Sequence, residues 1–168
     1  MIFLVPARSG SKRLVGKNKR QFCGLPLYLW SVATANRVKK ISDNLLVATD
    51  DIGILDQRDL PCVRRPDSTC TDDSPTQDLV TWIMEVFGAD DVVLLQPTSP
   101  TRPDSLVRQL IAHGGQVRSV TNGAPNGQCW VYRKGHEGWI DIETEKGWDI
   151  DVLSDFQAAE QDMMRRFA

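Results

Sequence analysis

Short apolar runs alternate with amphipathic stretches along the chain. Met1 to Val5 is an unbroken apolar run, Leu45 to Thr49 and Val92 to Gln96 follow in the same style, and Val117 to Thr121 and Cys129 to Tyr132 read as further strands. Runs of this length without polar alternation read as strands buried on both faces, as in a parallel sheet covered by helices. Cys62 to Arg64 reads as a minor strand. Between the strands, apolar residues recur at helical spacing. Pro26 opens a helix to about Lys40, with Leu27, Trp30, Ala33 or Thr34, and Val38 on one face. Ile52 to Gln57 is a shorter helical piece. Ser74-Pro75-Thr76-Gln77 has the form of a capping box, heading a helix that turns Leu79, Val80, Ile83, Met84 and Phe87 inward. Pro103 opens another helix, with Leu106, Val107, Leu110 and Ile111 inward and Gly114 as its stop. Gly138 to Ile150 reads as a hairpin around Thr144 to Gly147. Ser154 with Gln157 repeats the capping box and starts a C-terminal helix striped by Phe156, Ala159, Met163 and Phe167.

This alternation predicts an α/β fold, a three-layer sandwich around a mostly parallel sheet. Ligands of such sheets sit beyond the carboxyl ends of the strands. The loop after the first strand, Asp50, Gln96 to Arg102 and Asp149 to Asp151 are all expected on that rim.

The length of 168 residues suits one domain, 1–168, with its own core. A net charge of −2 argues against a general nucleic-acid binder. The positive charge is instead local, between residues 8 and 20, which suits a small anionic ligand. No apolar run approaches the roughly 18 residues of a membrane span. Met1 to Val5 is too short for a signal peptide, so a cytoplasmic protein is expected. The four cysteines show no C-x-x-C spacing, which favours reduced thiols over a zinc site. His113 and His136 lack catalytic partners and read as surface residues.

The loop from Leu4 to Asn18 concentrates the chemistry. It carries Arg8, Lys12, Arg13 and Lys17 among Ser9, Gly10, Ser11 and Gly16. Backbone N–H groups freed by the glycines, together with the charge, make a cradle for a polyphosphate. The loop matches neither G-x-x-x-x-G-K-[ST] nor G-x-G-x-x-G, and its bland alternative is a solvated connection. Asp149 and Asp151 are one residue apart, so on extended chain both carboxylates face one side. Two hard oxygen ligands suit Mg2+, and the alternative is a polar edge strand. Asp50-Asp51 reads as a helix cap rather than a second metal pair, and Asp155 as a first-turn residue favoured by the helix dipole. Pro97 and Pro100 fix the loop after the third strand, with Thr98 and Ser99 bonding its backbone. Trp30 and Trp82 read as core.

PARSGSKRLVGKN (Pro6 to Asn18) resembles the nucleotide-binding signature of the acylneuraminate, or CMP-sialic acid synthetase-like, cytidylyltransferases. LLVATDD, RRPDSTCTDDS, VLLQPTSPTR, NGQCWVYR and WDIDVLSDFQAAE resemble further segments of that family in the same order. The resemblance implies a Rossmann-like fold of the nucleotide-diphospho-sugar transferase kind. It also implies Mg2+-dependent transfer of CMP from CTP to the hydroxyl of a small acidic sugar, a sialic acid-like 2-keto sugar acid, with release of pyrophosphate. In that reading Arg8, Lys12, Lys17 and Asp151 are catalytic. Ala7, Arg8, Ser9, Gly10, Ser11, Lys12, Lys17 and Asn18 bind the nucleotide, with Arg65 and Asp72 near the cytidine. Gln96, Ser99 and Arg102 meet the acidic acceptor, Asp149 and Asp151 hold the metal, and one of Trp130, Trp139 and Trp148 lines the sugar pocket.

The family pattern also implies a homodimer, through an insertion that supplies the dimer arm and much of the acceptor pocket. Here only Asn122-Gly123-Ala124-Pro125 stands in its place, a tight connection, and Gln128 replaces a small residue. The shortening raises two alternatives: a non-catalytic nucleotide-binding module, and a nucleotidyltransferase for a different sugar or nucleotide. The retained D-x-D favours a transferase, since mere binding needs no metal pair.

Overall fold

The computed structural model describes residues 1–167, with the side chain of Phe167 outside that description. Strand β1 (Ile2–Pro6) is followed by a short ribbon of β2 (Gln21–Phe22) and β3 (Leu25–Pro26), then by helix α1 (Leu27–Val38). Next come β4 (Asn44–Thr49), the one-turn α2 (Ile52–Leu55), β5 (Cys62–Arg64), α3 (Thr76–Phe87) and β6 (Asp91–Leu94). The second half adds α4 (Asp104–Ala112), β7 (Val117–Thr121), β8 (Ala124–Arg133), β9 (Ile140–Glu143) and α5 (Leu153–Phe167).

Seven strands form one sheet in the order β5-β4-β1-β6-β8-β7-β9. The pairs β1–β4, β1–β6, β4–β5 and β7–β9 are parallel, and β8 is antiparallel to both β6 and β7. The sheet is therefore mostly parallel, with β8 the strand that runs against the rest. Alternate residues of β1 enter opposite layers. Phe3 and Val5 pack with Val32 and Ala35 of α1 and Val107 and Leu110 of α4. Ile2 and Leu4 pack with Leu79, Val80 and Ile83 of α3. A third cluster joins Leu14, Phe22 and Leu27 to Ile150, Phe156, Ala159 and Met163. That cluster ties the first loop and the Asp149–Asp151 segment to α5.

From β1 the chain builds outward through β4 and β5, then returns to place β6 on the other side of β1. The order reverses between β1 and β6, the topological switch point where such sheets open a crevice. The Asn122-Gly123 turn joins β7 to β8 with φ of 52° and 73°, a left-handed pair that asparagine and glycine tolerate. No helix is long and apolar enough to cross a membrane among the described residues.

Three local expectations need correction. The first concerns the capping box at Ser74. Pro75 holds the N-cap position of α3 with no side-chain cap, and Ser74 Oγ instead donates to the Ser68 carbonyl at 2.6 Å. Phe87, expected inward on this helix, is exposed. The second concerns Ser154: Asp155 caps α5, accepting from the backbone N–H groups of Asp151 and Val152 at 3.0 Å each. The helix begins at Leu153, so Ser154 lies inside its first turn, past the position a capping box needs, and the Asp155 carboxylate reaches back to the preceding amides instead. The third concerns the hairpin. β9 pairs parallel with β7, and Thr144–Ile150 crosses the rim without a return strand. Its backbone finds partners elsewhere, as in the Thr144 N–H on the Val120 carbonyl at 2.9 Å.

Candidate active site

The loop after β1 is pinned at several points along its length. Asp50, just past β4, accepts from the Ser9 backbone N–H at 2.7 Å and from Ser9 Oγ at 2.6 Å. Burial alone would raise the Asp50 carboxyl, but the Ser9 donors hold it below its ordinary value. Asn18 is buried and donates through Nδ2 to the Arg8 carbonyl at 2.8 Å, closing the loop on itself. Gly16 has φ of 65°, which turns the chain into the short 3-10 helix Lys17–Lys19. Asp51 caps α2 through the Ile54 N–H and pairs with Lys19 at 2.7 Å, so the cap reading of this residue holds.

The cations of the loop face carboxylates across a cleft. Arg8 and Lys12 both pair with Asp72, Lys12 at 2.8 Å, and Arg8 also donates to the Cys70 carbonyl. These two cations hold the Asp72 carboxyl below its ordinary value. Arg13 lies 3.0 Å from Asp151, and Lys17 Nζ donates to the Ile150 carbonyl at 2.8 Å with Asp151 at 3.4 Å. Burial lowers the Lys17 ammonium's pKa, and the neighbouring Asp151 opposes that shift.

Ile150 explains why both acids face the cleft. Its side chain is fully buried, and its N–H donates to the Thr98 carbonyl at 2.8 Å. With this residue anchored inward, its two neighbours turn outward. Burial raises the Asp149 carboxyl, with the Thr98 hydroxyl pulling the other way. Asp149, Asp151, Arg8, Lys17, Asn18, Arg65, Asp72 and Gln96 all line one cleft of about 270 Å³. An adjoining hollow is walled by Ser11, Lys12, Arg13 and the same Arg8, Lys17, Asp72 and Asp151.

Several candidates brace the cleft wall or lie away from it. Arg65 is buried and donates to the Thr69 hydroxyl at 3.1 Å and to the Thr69 carbonyl, so it braces the cleft wall. Ser99 is buried, and Arg102 is buried with its guanidinium on Ser31 Oγ at 2.8 Å and on the Gln96 carbonyl. Burial brings the Arg102 pKa down to about 10. Both shape the loop beneath Gln96. Trp148 borders a separate cavity of about 600 Å³ with Gln109, Gln128, Lys146, Asp162 and Arg166, away from the loop cations and the acidic pair. Trp139 packs edge-to-face on both Trp130 and Tyr132, and Trp130 lies tilted against Tyr132. Arg13, one of the four loop cations, borders the second hollow, and Thr71 and Ser74, to which the sequence pattern assigns no role at the site, border the first. Arg13 lies inside the basic loop, and Thr71 and Ser74 sit in the Arg64–Ser74 block, so charge and motif both pointed near them.

Among the described residues, no three His, Cys, Asp or Glu side chains gather as a closed metal site. The donors present are two carboxylates on one wall of a cationic cleft. That set fits a hard cation such as Mg2+, which binds through one or two carboxylates and completes its shell with water and phosphate oxygens. Imidazole or thiolate ligands, which a zinc site requires, are missing from the cleft wall.

Residues 2–115 match the family model described as cytidylyltransferase. The CMP-N,N'-diacetyllegionaminic acid synthase of Legionella pneumophila is 33% identical over 132 residues, 72% of this chain and 54% of that protein. The N-acylneuraminate cytidylyltransferase of Escherichia coli is 26% identical over 115 residues, 66% of this chain and 27% of that protein. The chain thus matches about half of the first relative's length and a smaller share of the second's. The fold superposes on a CMP:2-keto-3-deoxy-manno-octonic acid synthetase solved with CTP. The TM-score is 0.76 at 15% identity, with 98% of each chain covered.

Proposed function

The chain belongs to the cytidylyltransferase family, and on that premise we propose that it transfers the cytidylyl group of CTP to a hydroxyl of a 2-keto sugar acid, with Mg2+ as its cation. The names of the two sequence relatives put legionaminic and neuraminic acids among the acceptors to test, and the fold neighbour adds 3-deoxy-manno-octulosonate. The observation that carries this reading is the meeting of Lys17 with Asp151 at one cleft, beside Arg8, Lys12 and Asp149. A polyphosphate cradle and a hard-cation pair on facing walls suit transfer at phosphorus, which needs charge neutralisation and alignment more than covalent help.

Each residue then has a task. Arg8 and Lys12 exchange the Asp72 carboxylate for phosphate oxygens, and Arg13 and Lys17 exchange Asp151. The Gly10 N–H and the Asn18-braced turn hold the loop around the triphosphate, with the Ser11 N–H tied back to the Ser9 carbonyl at 2.9 Å. Asp149 and Asp151 would hold the cation. When bound, that ion neutralises phosphate charge and lowers the pKa of the attacking hydroxyl. The new bond joins the acceptor oxygen to the α-phosphorus, the bond to the bridging oxygen breaks, and the hydroxyl proton passes to solvent. Gln96 faces the acceptor side of the cleft, and Ser99 and Arg102 fix the backbone that aims it.

The test is pyrophosphate release with CTP, Mg2+ and a panel of sialic, legionaminic, pseudaminic and 3-deoxy-manno-octulosonic acids. UTP, GTP and ATP serve as controls and the Asp149→Ala/Asp151→Ala variant as the blank. Release with CTP and one acceptor, lost in the blank, is the expected result. Neither release nor a rise in melting temperature with CTP would overturn the reading.

A further inference from the structure

The Thr144–Asp151 segment carries the acidic pair without belonging to a strand or helix, so its position must come from elsewhere. Near its start, the Thr144 N–H reaches the Val120 carbonyl at 2.9 Å, and the Thr144 carbonyl accepts from Thr121 Oγ1 at 3.2 Å. At its end, Ile150 is held by Thr98 and Lys17. Between these anchors stands Gln128, which projects from β8 and is only 2% exposed. Its Nε2 donates to the Glu145 carbonyl at 3.0 Å and contacts Thr144 Oγ1 at 3.3 Å. Its own backbone N–H rests on Asn126 Oδ1 at 3.2 Å. The carboxamide lies so close to Gly147 that a Cβ there would stand 2.7 Å from Gln128 Cδ and Oε1. Gly147 does not have a positive φ, so what glycine supplies here is room for the approach of Gln128.

Resting on the cytidylyltransferase reading, we infer that Gln128 and Gly147 are a positioning pair that sets Asp149, two residues on, in register with Asp151 for the cation. Gln128 is a fixed post on the sheet, and Gly147 is the point where the segment presses against it. Residues that orient metal ligands without touching the metal change its affinity by about 10- to 100-fold when altered.

The experiment compares Gln128→Ala, Gly147→Ala and the double variant with the parent protein. Mn2+ binding to the CTP complex is read by electron paramagnetic resonance, CTP binding in chelator by calorimetry, and folding by melting temperature. Each single variant is expected to weaken Mn2+ at least about tenfold while CTP binding in chelator is unchanged. Gly147→Ala is expected to regain much of its loss when Gln128→Ala removes the collision. Should Gly147→Ala not fold, Gln128→Asn takes its place, with a carboxamide too short to reach Glu145. Unchanged Mn2+ affinity in folded variants would overturn the inference alone, as would losses that simply add in the double variant. A parent protein that binds no Mn2+ with CTP would overturn the cytidylyltransferase reading and this inference with it.

Discussion

Asp50 receives both hydrogen-bond donors of Ser9, the backbone N–H at 2.7 Å and the hydroxyl at 2.6 Å. The contact ties the tip of β4 to the start of the basic loop, so it fixes where the loop begins to turn. Replacing Asp50 with Ala leaves both donors to water and is expected to cost about 1–2 kcal/mol. The same change is expected to raise the KM for CTP more than it lowers kcat, because it frees the loop without removing a cation. Urea unfolding and initial rates check the two effects separately.

That contact also has a pH signature. The folded Asp50 pKa lies below its ordinary 3.8, so its contribution is present above that value and is lost as pH falls through the lower folded one. In Asp50→Asn this part of the acid-side loss is absent. Unfolding curves for both proteins between about pH 7 and about pH 2 should converge toward the acid end. A constant gap across that range would show that Asp50 acts without its charge.

Lys17 joins the two halves of the site, since its Nζ holds the Ile150 carbonyl at 2.8 Å and lies 3.4 Å from Asp151. Lys17→Ala is expected to lower kcat/KM for CTP by about 100- to 1,000-fold, the range for losing a donor aimed at developing charge. Its cost in stability should be only about 1 kcal/mol, for one lost hydrogen bond. Lys17→Arg should not restore the rate, because a planar fork cannot occupy the place of a compact ammonium. Activity that falls only in step with stability would contradict this role.

Much of this architecture is legible in the chain, and the gaps have physical causes. The strands Ile2–Pro6, Asn44–Thr49 and Asp91–Leu94 show as unbroken apolar runs because both of their faces are buried. Helices α1, α3 and α4 show through their spacing, and the rim location of the cations and the acidic pair follows from strand order. Helix caps are less legible, because where a helix starts is set by tertiary position: Ser74 turns to the Ser68 carbonyl, and Asp155 rather than Ser154 meets the Asp151 and Val152 amides. The parallel pairing of β9 with β7 was hidden for a similar reason. Thr144 and Gly147 have turn chemistry, yet Gln128, more than fifteen residues earlier, takes the partners a hairpin would use. The burial of Ser99 and Arg102 was invisible to motif reading, which gives neighbours in sequence but not the direction of a side chain.

Cys129 offers a test of the core between β8 and α4. It is fully buried, and burial pushes its thiol up to about 12. Cys23, Cys62 and Cys70 are only partly buried, though burial raises each of them as well. Native protein treated with a thiol reagent at about pH 8 should therefore modify Cys129 only as fast as the molecule unfolds, the other three reacting earlier. Rapid modification of Cys129 in folded protein would mean that this layer opens locally.

Arg102 is a buried cation whose hydrogen-bond partners are a hydroxyl and a carbonyl. Ser31 Oγ, which accepts from it, itself donates to the Gln96 carbonyl at 3.2 Å, so two side chains converge on that one oxygen. Removing the guanidinium would leave the carbonyl with a single side-chain donor and open a hole beneath the Gln96–Thr98 turn. Arg102→Ala is expected to cost about 2–4 kcal/mol, the sum of a lost charged hydrogen bond and a cavity. Because Thr98 carries the Ile150 N–H, the same variant should also lower kcat at temperatures where it remains folded. Arg102→Lys keeps the charge but not the fork, and should recover part of the stability and little of the rate. If Arg102 instead met the acceptor directly, both variants would raise the acceptor's KM and leave the melting temperature nearly unchanged. Unfolding curves and an acceptor titration of the two variants therefore separate a brace from a contact.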